Sequence, residues 1–98
     1  MRFQFRSRKL FLLYSEEKGA HRYPPAVVDA FFEVMAVIDS AVDERDLRNS
    51  KSLHYKKLKG QRRGQHSMRL NDQFRLVLEW QEDEHGKYLL IVNIEDYH

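Results

Sequence analysis

The sequence predicts an α+β fold in which an N-terminal helical hairpin packs on one face of a small antiparallel β-sheet. Three observations lead to this prediction. Apolar residues recur at helical spacing in the first half of the chain and at every second position in the second half. A chain of 98 residues also has room for only one modest core, so we expect a single domain over residues 1–98.

The N-terminal residues predict a short strand followed by a helix. Polar and apolar side chains alternate in Arg2–Arg6, as they do in a strand. Ser7 can cap a helix, and apolar side chains then recur on one face from Arg8 to Lys18. Gly19 stands where this helix should stop, because glycine is common just beyond helix ends.

A second, longer helix is predicted after Tyr23-Pro24-Pro25, since proline suits the entry to a helix. Apolar side chains at helical spacing run from Val27 to Val42 and indicate about 20 residues of helix. The short connection to the first helix favours an antiparallel helical hairpin. The other face of this helix is acidic and suits solvent or a partner; its carboxylates are Asp29, Glu33, Asp39 and Asp43.

A polar linker at Asp46–Ser50 leads into the predicted sheet. Side chains alternate in His66–Leu70 and again in Phe74–Trp80, and turn-forming residues lie between them at 71–73. These two segments therefore predict a β-hairpin. A second turn is expected over Glu82–Gly86, where the apolar pattern is interrupted.

The last apolar segment, Tyr88–Ile94, predicts a central strand. It is almost continuously apolar, which is typical of a strand that is covered on both faces. We expect its side chains to divide into two sets, with Leu90, Val92 and Ile94 on one side and Leu89 and Ile91 on the other.

Composition excludes several classes of protein. The chain has no Cys, which excludes disulfide scaffolds and thiolate metal sites. One small core leaves little room for haem, a flavin or a dinucleotide, and no His pair has close metal-ligand spacing, so we expect neither a cofactor nor a metal. The apolar runs are shorter than the ~20 residues of a membrane helix and no signal peptide is recognisable, so we expect a cytoplasmic protein without a membrane partner.

The formal net charge of +2 averages two regions of opposite sign. Residues 51–75 hold eight Lys or Arg and one Asp, a net charge of +7. The remainder has nine basic and fourteen acidic residues, a net charge of −5. An asymmetry of this size within one domain points to a polyanionic partner such as nucleic acid.

The segment Leu53–Gly64 mixes cations with two glycines and leads into the strands that carry Arg69 and Arg75. Outward side chains on paired antiparallel strands share a face, so these two arginines can form one surface with the segment. Guanidinium groups bind phosphate through a planar fork, and lysine adds a point charge. A solvated basic face is the alternative interpretation of such a charge run.

The chain ends on Glu95-Asp96-Tyr97-His98, which a strongly apolar strand carries to the edge of the sheet. His exchanges protons near neutral pH, and Tyr does so where its surroundings lower its pKa, so this segment is a candidate for acid–base chemistry. A frayed terminus without a function is the alternative. Among the other histidines, His66 alternates with apolar residues and is expected in or beside the core, whereas His54 lies in the basic segment.

Three motifs together resemble the HigB branch of the RelE/ParE toxin superfamily. They are Leu58-Lys59-Gly60, the run from Gly64 to Arg75 with the pattern G-x-x-S-x-R-x-N-D-x-F-R, and the terminal Glu95-Asp96-Tyr97-His98. The resemblance is specific in the C-terminal half, whereas the N-terminal helices match only in length and placement. It implies a small antiparallel sheet with an N-terminal helical pair, which agrees with the fold derived above.

The resemblance implies a toxin of a bacterial type II toxin–antitoxin pair that cuts mRNA in the ribosomal A site without a metal. In such enzymes the ribose 2′-OH attacks the neighbouring phosphate and leaves a 2′,3′-cyclic phosphate and a 5′-OH. Matching positions put Lys59 and Arg75 at the phosphate, Asp96 and His98 in proton transfer or its orientation, and Tyr97 in base stacking or proton handling. The residues expected to hold the RNA are His54, Lys56, Lys57, Arg62, Arg63, Arg69 and Gln73.

One position departs from the family pattern. Some members have a functional histidine three residues before the lysine of Leu-Lys-Gly, and Lys56 occupies that position here. Three explanations stand open: His54 reaches the site through a bend in the loop, Lys56 replaces the histidine, or this member cleaves slowly.

Two other functions fit the same fold. One is a ParE-like inhibitor of DNA gyrase that acts by binding, and the other is a catalytically weak toxin that mainly binds its antitoxin. The basic segment and the terminal Asp-Tyr-His favour RNA cleavage. The resemblance also implies the partners: a HigA-like helix-turn-helix antitoxin, the ribosome with its mRNA, and operator DNA bound only through the antitoxin.

Overall fold

A computed structural model describes residues 1–62 and 64–96 as a five-stranded sheet with helices on one face. This architecture confirms the predicted α+β fold class. In chain order the strands and helices are β1 (Phe3–Phe5), α1 (Arg8–Glu16), α2 (Pro25–Ser40), α3 (Glu44–Asn49), β2 (Lys56–Lys57), β3 (Gln65–Arg69), β4 (Phe74–Asp83) and β5 (Gly86–Asp96). Short 3-10 turns lie at Ala20–Arg22, Lys51–Leu53 and Gly60–Arg62.

The strands lie in the order β1-β5-β4-β3-β2, which confirms that β5 is an inner strand. Pairing is antiparallel from β2 to β5. At the other edge β1 pairs parallel to β5, with Phe3 opposite Leu89. Parallel pairing is possible there because the helices, rather than a tight turn, connect β1 to the rest of the sheet.

The first helix begins where the sequence predicts and ends slightly earlier. The Ser7 hydroxyl accepts a hydrogen bond from the Leu10 amide at 3.2 Å, which caps α1. The helix ends at Glu16, because Glu17 takes a left-handed conformation (φ 56°) and its amide bonds back to the carbonyls of the last turn. Gly19 therefore follows the helix end by several residues and instead begins the next 3-10 turn, with φ 83°.

The second helix is shorter than predicted. It covers 16 residues, because Ala41 takes an extended conformation with ψ 144°. The Met1 ammonium group donates hydrogen bonds to the carbonyls of Asp39 and Ala41, at 3.1 and 2.7 Å, and so satisfies acceptors that the helix end leaves free. Val42, predicted as the last apolar position of this helix, lies beyond it and is 85% exposed.

The predicted polar linker at Asp46–Ser50 is wrong, because most of it belongs to the third helix. The Asp43 carboxylate accepts a hydrogen bond from the Arg45 amide at 2.9 Å and caps α3. Leu47 is fully buried in the core. One apolar residue in six gives no periodicity in sequence, so only the burial of this side chain in the tertiary structure explains the helix.

The predicted hairpin is confirmed in β3 and β4, and β4 continues further than expected. It runs to Asp83, and β5 begins at Gly86, so the second turn has only two residues. A β-bulge changes the alternation along β5: Leu78 lies opposite Ile91, whereas Leu76 lies opposite Ile94. Ile94 therefore joins the buried side of β5, and the predicted division of that strand is wrong at this residue.

The core lies between the helices and one face of the sheet. Its fully buried side chains include Leu10, Phe31, Met35, Leu47, Leu78 and Ile91. The opposite face of the sheet, called here the distal face, points away from the helices and carries the polar alternation of β3, β4 and β5. No helix among the described residues is long and apolar enough to cross a membrane.

Candidate functional site

The distal face brings together polar side chains from three adjacent strands. Directly paired residues share a face, and the register pairs Arg69 with Arg75 and Arg75 with Glu95. The prediction that the two arginines share one surface is therefore confirmed. Other residues on this face by the same register are Gln65, Ser67, Val77, Glu79 and Asn93.

Arg75 is fixed by two hydrogen bonds from its guanidinium group. Its Nε donates to the Ser67 hydroxyl at 2.8 Å, and its Nη2 donates to the His54 carbonyl at 2.6 Å. Ser67 has no exposed surface. His54 takes a left-handed conformation, with φ 46°, at the end of a 3-10 turn. The basic segment therefore reaches Arg75 through the His54 backbone.

The β3–β4 turn joins Arg69 and Gln73 to neighbouring carboxylates. The Asn71 side chain accepts hydrogen bonds from the amides of the two residues that close the turn, at 2.8 and 2.7 Å. Arg69 forms an ion pair with Asp72. Gln73 Nε2 donates to Asp96 Oδ2 at 3.0 Å, so the turn contacts the end of β5.

The lysines of the basic segment divide between the two faces of the sheet. Lys56 pairs with Ser67 and therefore lies on the distal face, whereas Lys57 pairs with His66 and lies on the other. Lys59 lines an open groove together with Lys57, Leu58 and Gly60. The Leu58 amide donates to the Gln65 carbonyl at 2.9 Å, which attaches this part of the segment to the start of β3.

Arg62 lies in a chain of side-chain contacts that crosses the sheet. Its guanidinium donates two hydrogen bonds to Glu95, both at 2.6 Å, and a third to Gln65 Oε1 at 3.0 Å. Gln65 in turn donates to Glu79 at 2.8 Å, and Arg6 reaches the same carboxylate at 2.8 Å. The hydrogen bond from Gln65, and in addition the ion pair with Arg6, hold the pKa of Glu79 below its ordinary value.

Tyr55 anchors the beginning of the basic segment. Its hydroxyl accepts a hydrogen bond from Trp80 Nε1 at 2.8 Å and lies 3.4 Å from a Glu44 carboxylate oxygen. Its ring packs against His66, with 5.3 Å between the ring centroids. Burial raises the pKa of Tyr55 to about 12. Burial also lowers the pKa of His66, which lies at the edge of the core as predicted.

Three predicted site residues, Arg63, Tyr97 and His98, lie outside the described residues. Their assignments stay predictions. Among residues 1–62 and 64–96, no three His, Asp or Glu side chains form a group that could hold a metal ion.

A family model described as "RelE-like toxin of type II toxin-antitoxin system HigB" matches residues 3–98. The chain belongs to this HigB-like toxin family. It is also 30% identical over 80 residues to Toxin HigB-1 of Vibrio cholerae serotype O1, a match that covers 82% of this chain and 84% of the relative. The family resemblance inferred from the sequence motifs is therefore confirmed.

Solved structures of related toxins share the fold of this HigB-like toxin. A YoeB/ParE toxin from Agrobacterium tumefaciens has a TM-score of 0.61 at 14% identity and covers 100% of both chains. YafQ from E. coli strain BL21(DE3) has a TM-score of 0.59 at 9% identity, over 98% of this chain and 93% of its own. A heterotetrameric YoeB-YefM toxin-antitoxin complex from Staphylococcus aureus gives 0.54 at 25% identity, over 100% and 97%.

Sequence reasoning did not assign a role to three residues that shape the site of this HigB-like toxin. Ser67 accepts a hydrogen bond from Arg75, and Glu95 accepts hydrogen bonds from Arg62. Tyr55 accepts a hydrogen bond from Trp80 and so anchors the basic segment. Ser67 is the serine of the G-x-x-S pattern, so the motif contained a signal for it. Glu95 and Tyr55 have partners that are more than twenty residues away in sequence, and no local pattern could reveal them.

Proposed function

We propose that this HigB-like toxin is a metal-independent endoribonuclease that cuts mRNA in the A site of the ribosome. The ribose 2′-OH loses its proton and attacks the adjacent phosphorus in line, while the P–O5′ bond breaks and the leaving oxygen takes up a proton. The products are a 2′,3′-cyclic phosphate and a 5′-OH. The proposal rests mainly on one observation: two hydrogen bonds hold the Arg75 guanidinium in place on a cationic face of the sheet.

Arg75 and Lys59 neutralise the charge that develops on the phosphate during the attack. The contacts from Arg75 to Ser67 and to the His54 carbonyl orient its guanidinium before substrate arrives. Such preorganised donors stabilise a transition state without reorganisation during the reaction. Lys59 supplies a second positive charge from the open groove beside β3.

The C-terminal residues handle the protons in this proposal. Asp96 follows Glu95, the strand partner of Arg75, and accepts a hydrogen bond from Gln73. His98 exchanges the proton, since its ordinary pKa suits neutral pH, and Asp96 orients it. Tyr97 stacks on a base or takes part in proton handling.

The cations around Arg75 hold the RNA backbone. Lys56 and Arg69 lie on the distal face itself. Contacts of this kind fix the position of the strand and carry little sequence information, since they go to phosphate and ribose. Further RNA contacts are proposed for His54, Lys57, Arg63 and Gln73.

We also propose that a HigA-like helix-turn-helix antitoxin neutralises this toxin, with operator DNA bound only through the antitoxin. The family description names a type II toxin-antitoxin system, and the YoeB structure from Staphylococcus aureus is a complex with YefM. Co-expression with the neighbouring gene, followed by co-purification and a growth assay, tests this partner.

The test of the nuclease is expression of the toxin without its antitoxin, followed by mapping of mRNA 5′ ends. We expect cuts within translated codons, in frame with translation, and 5′-OH ends that are ligated only after phosphorylation. In a purified ribosome assay, an mRNA with a 2′-deoxynucleotide at the cut position should stay intact, because the attacking hydroxyl is missing. Intact mRNA together with relaxed or broken DNA would refute the nuclease and indicate a gyrase inhibitor.

Variants separate the nuclease from a toxin that only binds its antitoxin. Arg75→Ala, Asp96→Ala and His98→Ala should each abolish cleavage on ribosomes and relieve growth arrest. Arg45→Ala is the matched control, because this arginine is 84% exposed and pairs with Asp43 at the start of α3. Full activity in all three site variants would refute the assigned roles.

A further inference from the structure

We infer that Arg62 is a positioning residue, which with Glu95 fastens the Lys59-bearing segment to the distal face and keeps Glu95 away from Arg75. The inference rests on the proposed cleavage site and changes the role of Arg62 from an RNA contact to an internal support. It also explains why an acidic residue, Glu95, lies on a surface that is proposed to bind RNA.

The Arg62–Glu95 contact is a bidentate ion pair. Two guanidinium nitrogens meet the two carboxylate oxygens, both at 2.6 Å, in the bidentate arrangement that gives arginine its directional preference. Both side chains are largely withdrawn from solvent, with 35% of Arg62 and 27% of Glu95 exposed. An arginine whose fork already holds a carboxylate has fewer donors to offer a phosphate.

The contact links the basic segment to the middle of the sheet. Arg62 closes the 3-10 turn that follows Lys59, and Glu95 lies on β5, 33 residues later. The third donor of Arg62, Nε, bonds to Gln65, whose other end bonds to Glu79. The turn is thus tied to β5 directly and to β4 through one intervening side chain.

The register explains why Glu95 needs a partner other than Arg75. These two residues are directly opposite each other across β4 and β5, at a separation where opposite charges pair. A Glu95 carboxylate without Arg62 would compete with substrate phosphate for the Arg75 guanidinium. With Arg62 holding both oxygens of Glu95, Arg75 instead bonds to Ser67 and the His54 carbonyl.

Replacing Glu95 distinguishes the two roles of Arg62. If Arg62 contacted RNA directly, Glu95→Gln would release it and remove a negative charge, so RNA binding and cleavage would improve. If Arg62 is a support, Glu95→Gln should lower kcat on ribosomes about tenfold with little change in KM, because a charged bidentate contact is lost. Arg62→Ala should have a similar effect, and the double variant should be no worse than the stronger single one.

A second readout does not depend on cleavage. The Leu58 amide bonds to the Gln65 carbonyl beside the Arg62 turn, so its hydrogen exchange reports how firmly the segment is attached. We expect Glu95→Gln to speed this exchange about tenfold, with the thermal midpoint and the exchange of core amides nearly unchanged. The control is Arg45→Ala, which removes an exposed ion pair at the start of α3.

The salt dependence of RNA binding completes the test. Loss of a phosphate contact lowers the slope of log K against log salt by about one, whereas loss of a support leaves the slope unchanged. An unchanged slope in Arg62→Ala with faster Leu58 exchange in Glu95→Gln supports the inference. A reduced slope, or unchanged Leu58 exchange, overturns it. A wild-type protein that cuts no mRNA refutes the proposed function, and the exchange experiment still decides the attachment of the turn.

Discussion

Ser67 offers the sharpest test of how the fold prepares Arg75 for a substrate. Its side chain has no exposed surface, and its hydroxyl accepts the Arg75 Nε hydrogen at 2.8 Å. Ser67→Ala removes this acceptor and adds no atom to a closely packed site. A hydrogen bond to a charged group contributes about 1.5–3 kcal/mol. The second bond, from Arg75 to the His54 carbonyl, remains, so we expect a loss near the lower end of that range.

A loss of about 1.5 kcal/mol in transition-state stabilisation corresponds to a fall of about tenfold in kcat. The assay is single-turnover cleavage of mRNA on purified ribosomes, with the toxin in excess. Ser52→Ala is the matched control, because Ser52 is exposed and lies in a 3-10 turn. The double variant Ser67→Ala, Arg75→Ala should be no slower than Arg75→Ala alone, since the serine acts only through the arginine.

An unchanged kcat in Ser67→Ala, with Arg75→Ala inactive, would refute this reasoning. It would mean that the His54 carbonyl, or the substrate itself, sets the guanidinium orientation. Additive losses in the double variant would also refute it, because they would require a contribution from Ser67 that does not pass through Arg75.

Two further predictions concern stability. Leu47→Ala should lower the free energy of unfolding by about 2–5 kcal/mol, because this fully buried residue packs α3 against the core. Val42→Ala is the control and should change the free energy little, since Val42 is 85% exposed. Equal urea midpoints for the two variants would contradict the role of α3. Burial lowers the pKa of His66 in the folded protein, so the neutral histidine contributes its full stabilisation above the ordinary pKa of 6.5. The free energy of unfolding should decrease as the pH drops below 6.5 towards the folded pKa. Urea titrations at several pH values should find a smaller decrease in His66→Gln, and equal decreases would contradict the assignment.

The elements that the sequence predicted well are those whose own periodicity specifies them. The β3–β4 hairpin alternates at most positions, with Val77 as an exception, and α2 has repeated apolar positions, so both follow from local pattern. Two of the errors fall at elements that a contact with a residue far away in the sequence determines. α3 depends on the burial of Leu47, and the end of α2 depends on the Met1 ammonium group that meets its last carbonyls. Neither contact produces a periodic pattern in the sequence.

The ordered C-terminal motifs determined the family from sequence alone, and the charge division predicted a surface that faces RNA. Both are properties of composition and order, which folding does not alter. Tertiary structure decided which cations lie on the distal face and which groups hold them. Lys56 and Lys57 are neighbours in sequence, yet their side chains lie on opposite faces of the sheet, because successive residues of a strand alternate between faces. Arg62 and Arg75 look equivalent in the sequence, since both belong to the basic residues 51–75. In the structure Arg62 is paired with Glu95, whereas Ser67 and the His54 carbonyl orient Arg75. These differences arise from contacts between strands, where residues that are far apart in the chain become direct neighbours.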